Sequence, residues 1–234
     1  GFAILAMVFY HALYDLVYLF NVDIGPLAYL RYLEPPFAGA FILLAGVSSR
    51  FSHSNFKRAL KVAAVAALVT AGTLLFTPQD AIYFGILHFM AAAILLYALA
   101  GRLLEKIPPA AALLLWLTLF ILTYQMPETY FVGLRGLFGF TLPGALQSVP
   151  WLFPFGIPNA NFASADYFPL VPWLFLFLAG AVVGKPIRDG RLPERFYTAR
   201  VPFFAAAGRN TLLIYLLHQP VIYGGMLLFF RVFH

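Results

Sequence analysis

Four side chains able to move protons lie in stretches otherwise apolar enough to cross a bilayer: His11, Asp15, His88 and His218. Ionisable groups are costly at bilayer depth and tend to be functional where they occur. His11 and Asp15 are four residues apart in FYHALYDL, so a helix places them on one face, with Tyr14 and Tyr18 near it. A carboxylate beside an imidazole orients the ring and raises its basicity, which suits a general base. The plainer alternative is a satisfied structural pair, with Asp15 near the outer interface. His88 stands early in a helix in YFGILHFMAAA, where Gly85, Ala91 and Ala92 allow close helix packing. It reads equally well as a histidine bonded across helices or as a pocket residue. His218 falls near the middle of the last span, in TLLIYLLHQP. There Pro220 frees one backbone carbonyl and can kink the helix, and Gln219 can help satisfy that region. Three imidazoles would suit zinc, but their local spacing matches no metal motif, and no metal is expected. A proton path is a further possible use.

A second group of residues is basic. Arg50, Lys57 and Arg58, with Asn55 and Lys61, follow one apolar run, and Arg209 and Asn210 precede the last. Such residues set topology and meet lipid headgroups, or grip the phosphates of a cytoplasmic ligand. Asn210 or Thr211 is expected to cap the last helix. No P-loop or dinucleotide fingerprint is present. Asp80 and Asp166 flank apolar runs on the opposite side, as solvated or capping residues or facing an extracytoplasmic substrate.

The elements that position these groups follow from composition. Of 234 residues, 62% are hydrophobic and 10% charged, whereas soluble domains carry about a quarter charged residues. A chain of this length cannot bury so much apolar surface in water, and lipid takes the place of the missing core. The expected fold is all-α: a polytopic helical bundle forming a single transmembrane domain over residues 1–234. Seven spans are expected, at about 1–20, 35–49, 59–76, 82–104, 110–126, 168–184 and 211–230. Residues 127–167 are apolar but broken by Gly and Pro. They are expected to form a surface loop or a protein-shielded re-entrant segment, with an eighth span as the alternative. The chain opens inside an apolar helix without a Met or basic segment before it, so a missing N-terminal portion is expected. Cysteine is absent, which excludes disulfides and thiolate chemistry.

Seven spans sort the basic residues sharply. With the N-terminal side cytoplasmic, the cytoplasmic loops hold Arg50, Lys57, Arg58, Lys61, Arg102, Lys106, Lys185, Arg188, Arg191, Arg195, Arg200 and Arg209. The other side holds Arg31, Arg135 and Arg231. Basic residues concentrate in short cytoplasmic loops, so this orientation is expected, with the C-terminus extracytoplasmic. The net charge of +6 is thereby explained without nucleic acid. No internal repeat of the kind found in many transporters stands out.

The stretches AILAMVFYHALYDL, FAGAFILLAGVSS, YFGILHFMAAAILL, YFPLVPWLFLFLAGAVVGK and GRNTLLIYLLHQP extend, in order, across nearly the whole chain. Together they resemble the prokaryotic transmembrane acyltransferase family related to heparan-alpha-glucosaminide N-acetyltransferase. That family's Arg-Gly lead into the first helix would fall before or at Gly1. The resemblance implies a multispan enzyme of a prokaryotic cytoplasmic membrane. It would use cytoplasmic acetyl-CoA to acetylate a glycan, amino sugar or other polar acceptor on the far side. It does not assign the family's catalytic histidine to one position of this chain.

Residue pattern and resemblance converge on one mechanism. The basic rim holds the CoA phosphates, with Arg50, Lys57, Arg58, Arg209 and Asn210 as candidates. His11, assisted by Asp15, is the preferred general base, and His88 and His218 are further pocket candidates. A short-lived acetyl-histidine is the alternative route. Membrane lipids are partners, and a homo-oligomer is possible through the small-residue stretches. A proton-coupled transporter and a non-catalytic envelope scaffold are the rival readings.

Overall fold

The computed structural model describes residues 1–26, 29, 32, 34–198 and 201–233. Arg31 and Arg200, two of the residues counted for orientation, lie outside the described residues. Among those described there are nine helices and two short strands, and the architecture is an all-α polytopic membrane bundle. The helices are α1 (Phe2–Tyr18), α2 (Glu34–Ser49), α3 (Asn55–Phe76), α4 (Ile86–Leu104), α5 (Pro109–Thr123), α6 (Met126–Thr129), α7 (Leu170–Arg188), α8 (Pro202–Arg209) and α9 (Thr211–Phe233). Each of the seven expected spans coincides with a helix. Five are long and apolar enough to cross a membrane, namely α3, α4, α5 extended through α6, α7 and α9. The α1 and α2 helices are shorter, with 17 and 16 residues.

Residues 127–167 contain no further span. They hold α6, an antiparallel hairpin of β1 (Phe131–Leu134) and β2 (Phe138–Thr141), and 3-10 turns at Gly144–Ser148 and Pro150–Phe155. Glycine, proline and the αL residues Tyr130 and Gly156 break the helical pattern there. At the base of the hairpin Leu142 N–H donates to the Tyr130 carbonyl at 2.8 Å.

The chain divides into two compact units, residues 1–41 with 192–234, and residues 42–191. The boundary falls inside α2.

In the first unit α1 packs against α8 and α9. Tyr10 donates to Glu34 Oε2 at 2.9 Å, which ties the start of α2 to α1. The α9 helix continues through Pro220.

In the second unit α3 packs on α4, and α7 packs on α4 and α5. The α2–α7 contact is set by small residues. A Cβ at Gly46 would run into the Phe177 carbonyl, one at Gly180 into the Leu43 carbonyl, and one at Gly184 would stand 2.9 Å from the Val47 carbonyl. Gly180 and Gly184 are four apart, so this is the small-xxx-small packing by which membrane helices bring backbones together. The α7 helix, with Phe177 and Ala179 fully enclosed, is the centre of this unit. By contrast Leu75 of α3 and Leu114 of α5 are 74% and 70% exposed. Water would penalise such surface at about 25 cal/mol per Å²; lipid does not.

Candidate active site

In the first unit, α1 and α9 bring three of the expected residues together. The His11 and His218 rings meet edge to face with centroids 4.9 Å apart. His11 Nδ1 lies 3.0 Å from the Met7 carbonyl one turn earlier. His218 Nδ1 lies 2.6 Å from the Tyr215 carbonyl. A carbonyl only accepts, so both rings carry their proton on Nδ1 when neutral, which leaves each Nε2 as a lone-pair acceptor. His218 is 9% exposed, and its Nε2 meets no partner among the described residues. An imidazole nitrogen buried without a partner is costly.

Asp15 is 1% exposed. Its two oxygens both accept from Gln219 Nε2, at 2.9 Å each. The expected orientation of His11 by Asp15 is therefore corrected. The amide of Gln219 reaches the carboxylate, while a main-chain carbonyl lies within reach of the ring. The Tyr14 and Tyr18 rings meet at a tilt with centroids 4.5 Å apart, and Tyr10 packs edge to face on His11 at 5.5 Å. Gln219 was not expected as the carboxylate's partner. Its sequence signal was an amide inside an apolar helix next to a histidine.

Arg209 and Asn210 also belong to the first unit. Asn210 ends α8, where its Nδ2 donates to the Ala206 carbonyl at 3.0 Å. Thr211 likewise donates back, to Gly208 at 2.8 Å. The first turn of α9 closes through the Asn210 main-chain carbonyl, which accepts from Ile214. Arg209 is exposed.

His88 belongs to the second unit, in the first turn of α4. The Thr70 hydroxyl donates to the Ile82 carbonyl at 2.6 Å and lies 3.1 Å from His88 Nε2. The hydroxyl thus accepts from His88 Nε2–H, and Nδ1 is the free acceptor. That Nδ1 is buried with no partner among the described residues. Beside it, Asp166 Oδ2 accepts from Ile86 N–H at 2.9 Å. Asp166 therefore caps α4, not the helix it directly precedes. An aromatic cluster closes this end: Phe153 and Phe162 stack at 4.7 Å, and Tyr167 donates to the Phe153 carbonyl at 2.5 Å. Burial, with Tyr130 nearby, pushes the Tyr167 phenol well above its ordinary range.

At the other end of the second unit lie Arg50, Lys57 and Arg58. The Arg50 side chain is 6% exposed and fully engaged. It donates to Glu105, donates to the Ala181 carbonyl at 2.7 Å, and lies 5.5 Å from the Tyr97 ring centre. Arg58 donates to Ser48 at 2.8 Å and Ser49 at 3.3 Å, and Asn55 donates to the Ser49 carbonyl at 2.9 Å. Both arginines hold helix ends together. Lys57 is exposed, after a Ser54 hydroxyl that caps α3. A shallow recess opens beside Arg50, Glu105, Ile107 and Lys185. No group of three or more His, Cys, Asp or Glu side chains able to hold a metal occurs among the described residues.

The family model described as heparan-alpha-glucosaminide N-acetyltransferase, catalytic, matches residues 1–220. The chain belongs to that family. The match takes in α1, α4, His218 and the whole of the second unit. Membership makes the chain a membrane acyltransferase of the acetyltransferase type, and the five long apolar helices place it in a bilayer. No curated protein and no solved structure matches the chain significantly.

Proposed function

We propose that this family member transfers the acetyl group of acetyl-CoA, met on the cytoplasmic face, to a hydroxyl or amine of a sugar or similarly polar acceptor on the opposite face. The observation that carries this reading is the His11–His218 pair, with both Nδ1 atoms placed on main-chain carbonyls and both Nε2 atoms left to accept a proton. The half-buried His11 serves as the general base. Its Nε2 takes the proton of the acceptor O–H or N–H as that oxygen or nitrogen bonds to the thioester carbonyl carbon. Collapse of the tetrahedral intermediate breaks the C–S bond, and the leaving thiolate takes the proton back from the imidazolium. His218 backs the ring of His11. The buried charge of Asp15 favours the imidazolium, with Gln219 fixing the carboxylate. His88 is a second pocket residue, in its own unit.

Charge supports the orientation. In residues 42–191, Arg50, Lys57, Arg58, Lys61, Arg102, Lys106, Lys185, Arg188 and Arg191 lie where α2, α4 and α7 end and where α3 and α5 begin. Arg135 alone lies by the opposite ends. The positive-inside rule puts the basic end in the cytoplasm of a prokaryotic cell, the N-terminal side with it, and the C-terminus outside. Arg209, exposed in the same unit as His11, suits the CoA phosphates, and Lys57 is the exposed candidate within residues 42–191. Arg50 and Arg58 already have protein partners, and Asn210 uses its amide within α8.

Acetyl-CoA binding to purified protein, by calorimetry against free CoA and an unrelated nucleotide, tests the donor. Thiol release with glucosamine and related acceptors then tests transfer. Removal of a general base is expected to cost 10²- to 10⁴-fold in His11→Ala, and His218→Ala is expected to fall in the same range. Undiminished turnover in both variants would remove the pair from catalysis. Acceptor flux without thioester consumption would replace the proposal with transport.

A further inference from the structure

The β1–β2 hairpin begins two residues beyond Thr129, the last residue of the membrane-spanning stretch Pro109–Thr129. It does not project away from that span, because β1 packs back against α5. The two strands differ in surroundings. In β1, Gly133 is buried and its neighbours are half-buried, whereas all four residues of β2 are exposed. Exposure is continuous from Arg135 to Thr141. Within that run Leu137 is 79% exposed, and Phe138 and Phe140, on the same face of β2, are 60% each. Three large apolar side chains thus stand uncovered at the level where α5 leaves the bilayer.

Charge and backbone identify what covers them. Arg135, in the turn, is the one cation of residues 42–191 at this end. A long cationic side chain beside apolar neighbours reaches toward phosphate while the neighbours stay in apolar surroundings, and aromatic rings concentrate at the membrane–water boundary. Among the described residues the sheet has two strands, so the outer edge of β2 presents open N–H and C=O groups. Hydrocarbon cannot satisfy them, which sets a limit on depth. The strand belongs at the headgroup level, with its rings directed to the acyl chains.

We propose that the hairpin Phe131–Thr141 is a membrane-interface anchor, in which Leu137, Phe138 and Phe140 insert into the headgroup region of the phospholipid surface and Arg135 meets a lipid phosphate. The anchor is independent of the acetyl-transfer reading. It would hold residues 127–167, with the Phe153–Phe162–Tyr167 cluster, against the lipid surface.

The chain has no cysteine, so single-cysteine variants can be spin-labelled without background. Leu137→Cys, Phe138→Cys and Phe140→Cys would be labelled with a nitroxide in the otherwise unaltered chain. After reconstitution into phosphatidylcholine/phosphatidylglycerol nanodiscs, collision rates with oxygen and with a neutral nickel chelate would be measured. Arg191→Cys, whose native side chain is 73% exposed in a basic loop, is the aqueous reference. Leu114→Cys on α5 is the hydrocarbon reference. The expected oxygen-to-nickel ratio at the three hairpin positions is several-fold above Arg191→Cys and below Leu114→Cys. A ratio equal to the Arg191→Cys reference would place the hairpin in water and overturn the proposal. Low collision rates with both reagents would show protein cover, such as a second copy pairing on the β2 edge, and would overturn it equally. Three exposed positions guard against one label disturbing the fold.

Discussion

The bond between Asp166 and the first turn of α4 gives a prediction whose size can be worked out. Ile86 is 5% exposed, and its N–H donates to Asp166 Oδ2 at 2.9 Å. In Asp166→Ala that donor loses its partner away from water, at about 1–3 kcal/mol. The favourable charge at a helix N-terminus goes with it, at about 0.3–1 kcal/mol. The expected loss is about 2 kcal/mol. Gly85 supplies an independent handle, since a Cβ there would overlap the Asp166 carboxylate and come within 2.8 Å of Ile82 Cγ2. Gly85→Ala should therefore break the same bond and cost at least as much as Asp166→Ala. In the Asp166→Ala background most of that cost should vanish, because the carboxylate is already gone, and only the Ile82 contact remains. Unfolding in mixed micelles with increasing dodecyl sulfate, followed by tryptophan fluorescence, reads the four species. Trp116, Trp151 and Trp173 all belong to this unit, so the signal is local. A coupling of about 1–2 kcal/mol is expected, in the range for residues in direct contact. Equal cost of Gly85→Ala in both backgrounds would mean that the carboxylate does not sit on this helix end, and the reasoning would fail.

Three further outcomes follow from contacts in the same unit. Gly180→Val should push α2 off α7, because even a Cβ meets the Leu43 carbonyl; a loss of about 3 kcal/mol, seen as aggregation on size exclusion or an early unfolding midpoint, is expected. Arg50→Lys keeps the charge but cannot hold Glu105 and the Ala181 carbonyl in one planar fork; about 1–2 kcal/mol should be lost, whereas exposed Lys57→Ala should leave the unfolding midpoint unchanged. Tyr167 titrates above its ordinary value in the folded chain, so its neutral phenol contributes stability that is complete below about pH 10 and lost as pH rises through the folded value. Tyr167→Phe should lower neutral-pH stability by about 1 kcal/mol and flatten the alkaline limb of stability against pH; an unchanged limb would count against the buried donor to Phe153.

The span pattern was legible because lipid imposes a length and an apolar composition that local sequence must meet. His11, His88 and His218 stood out for the converse reason, as ionisable groups in apolar runs. Their partners were much less visible. Asp15 and His11 share a face by spacing, yet the carboxylate is held by Gln219 from a helix more than two hundred residues away in sequence, and no periodicity reports such a pairing. Arg50 and Arg58 read as a phosphate grip because charge at a helix end looks alike whether it faces solvent or a neighbouring carbonyl. Asn210 alone separates α8 from α9, so its carbonyl serves the first turn of α9 while its amide turns back to α8, a double duty that composition does not reveal. In residues 127–167, glycine and proline marked the break from helix, but β1 and β2 are only four residues each and carry no alternating pattern long enough to detect.

The cap on α4 also dictates an order of assembly. Asp166 lies 80 residues after Ile86, so at about 5–20 residues per second the ribosome needs about 4–16 s after making the start of α4 before the carboxylate exists. Throughout that interval α4 and its His88 are already synthesised, while the N–H that Asp166 will accept must rely on water or lipid headgroups. The His88 end of this unit is therefore completed late, only when the leader of α7 arrives. A nascent chain arrested before residue 166 would present α4 without its finished first turn.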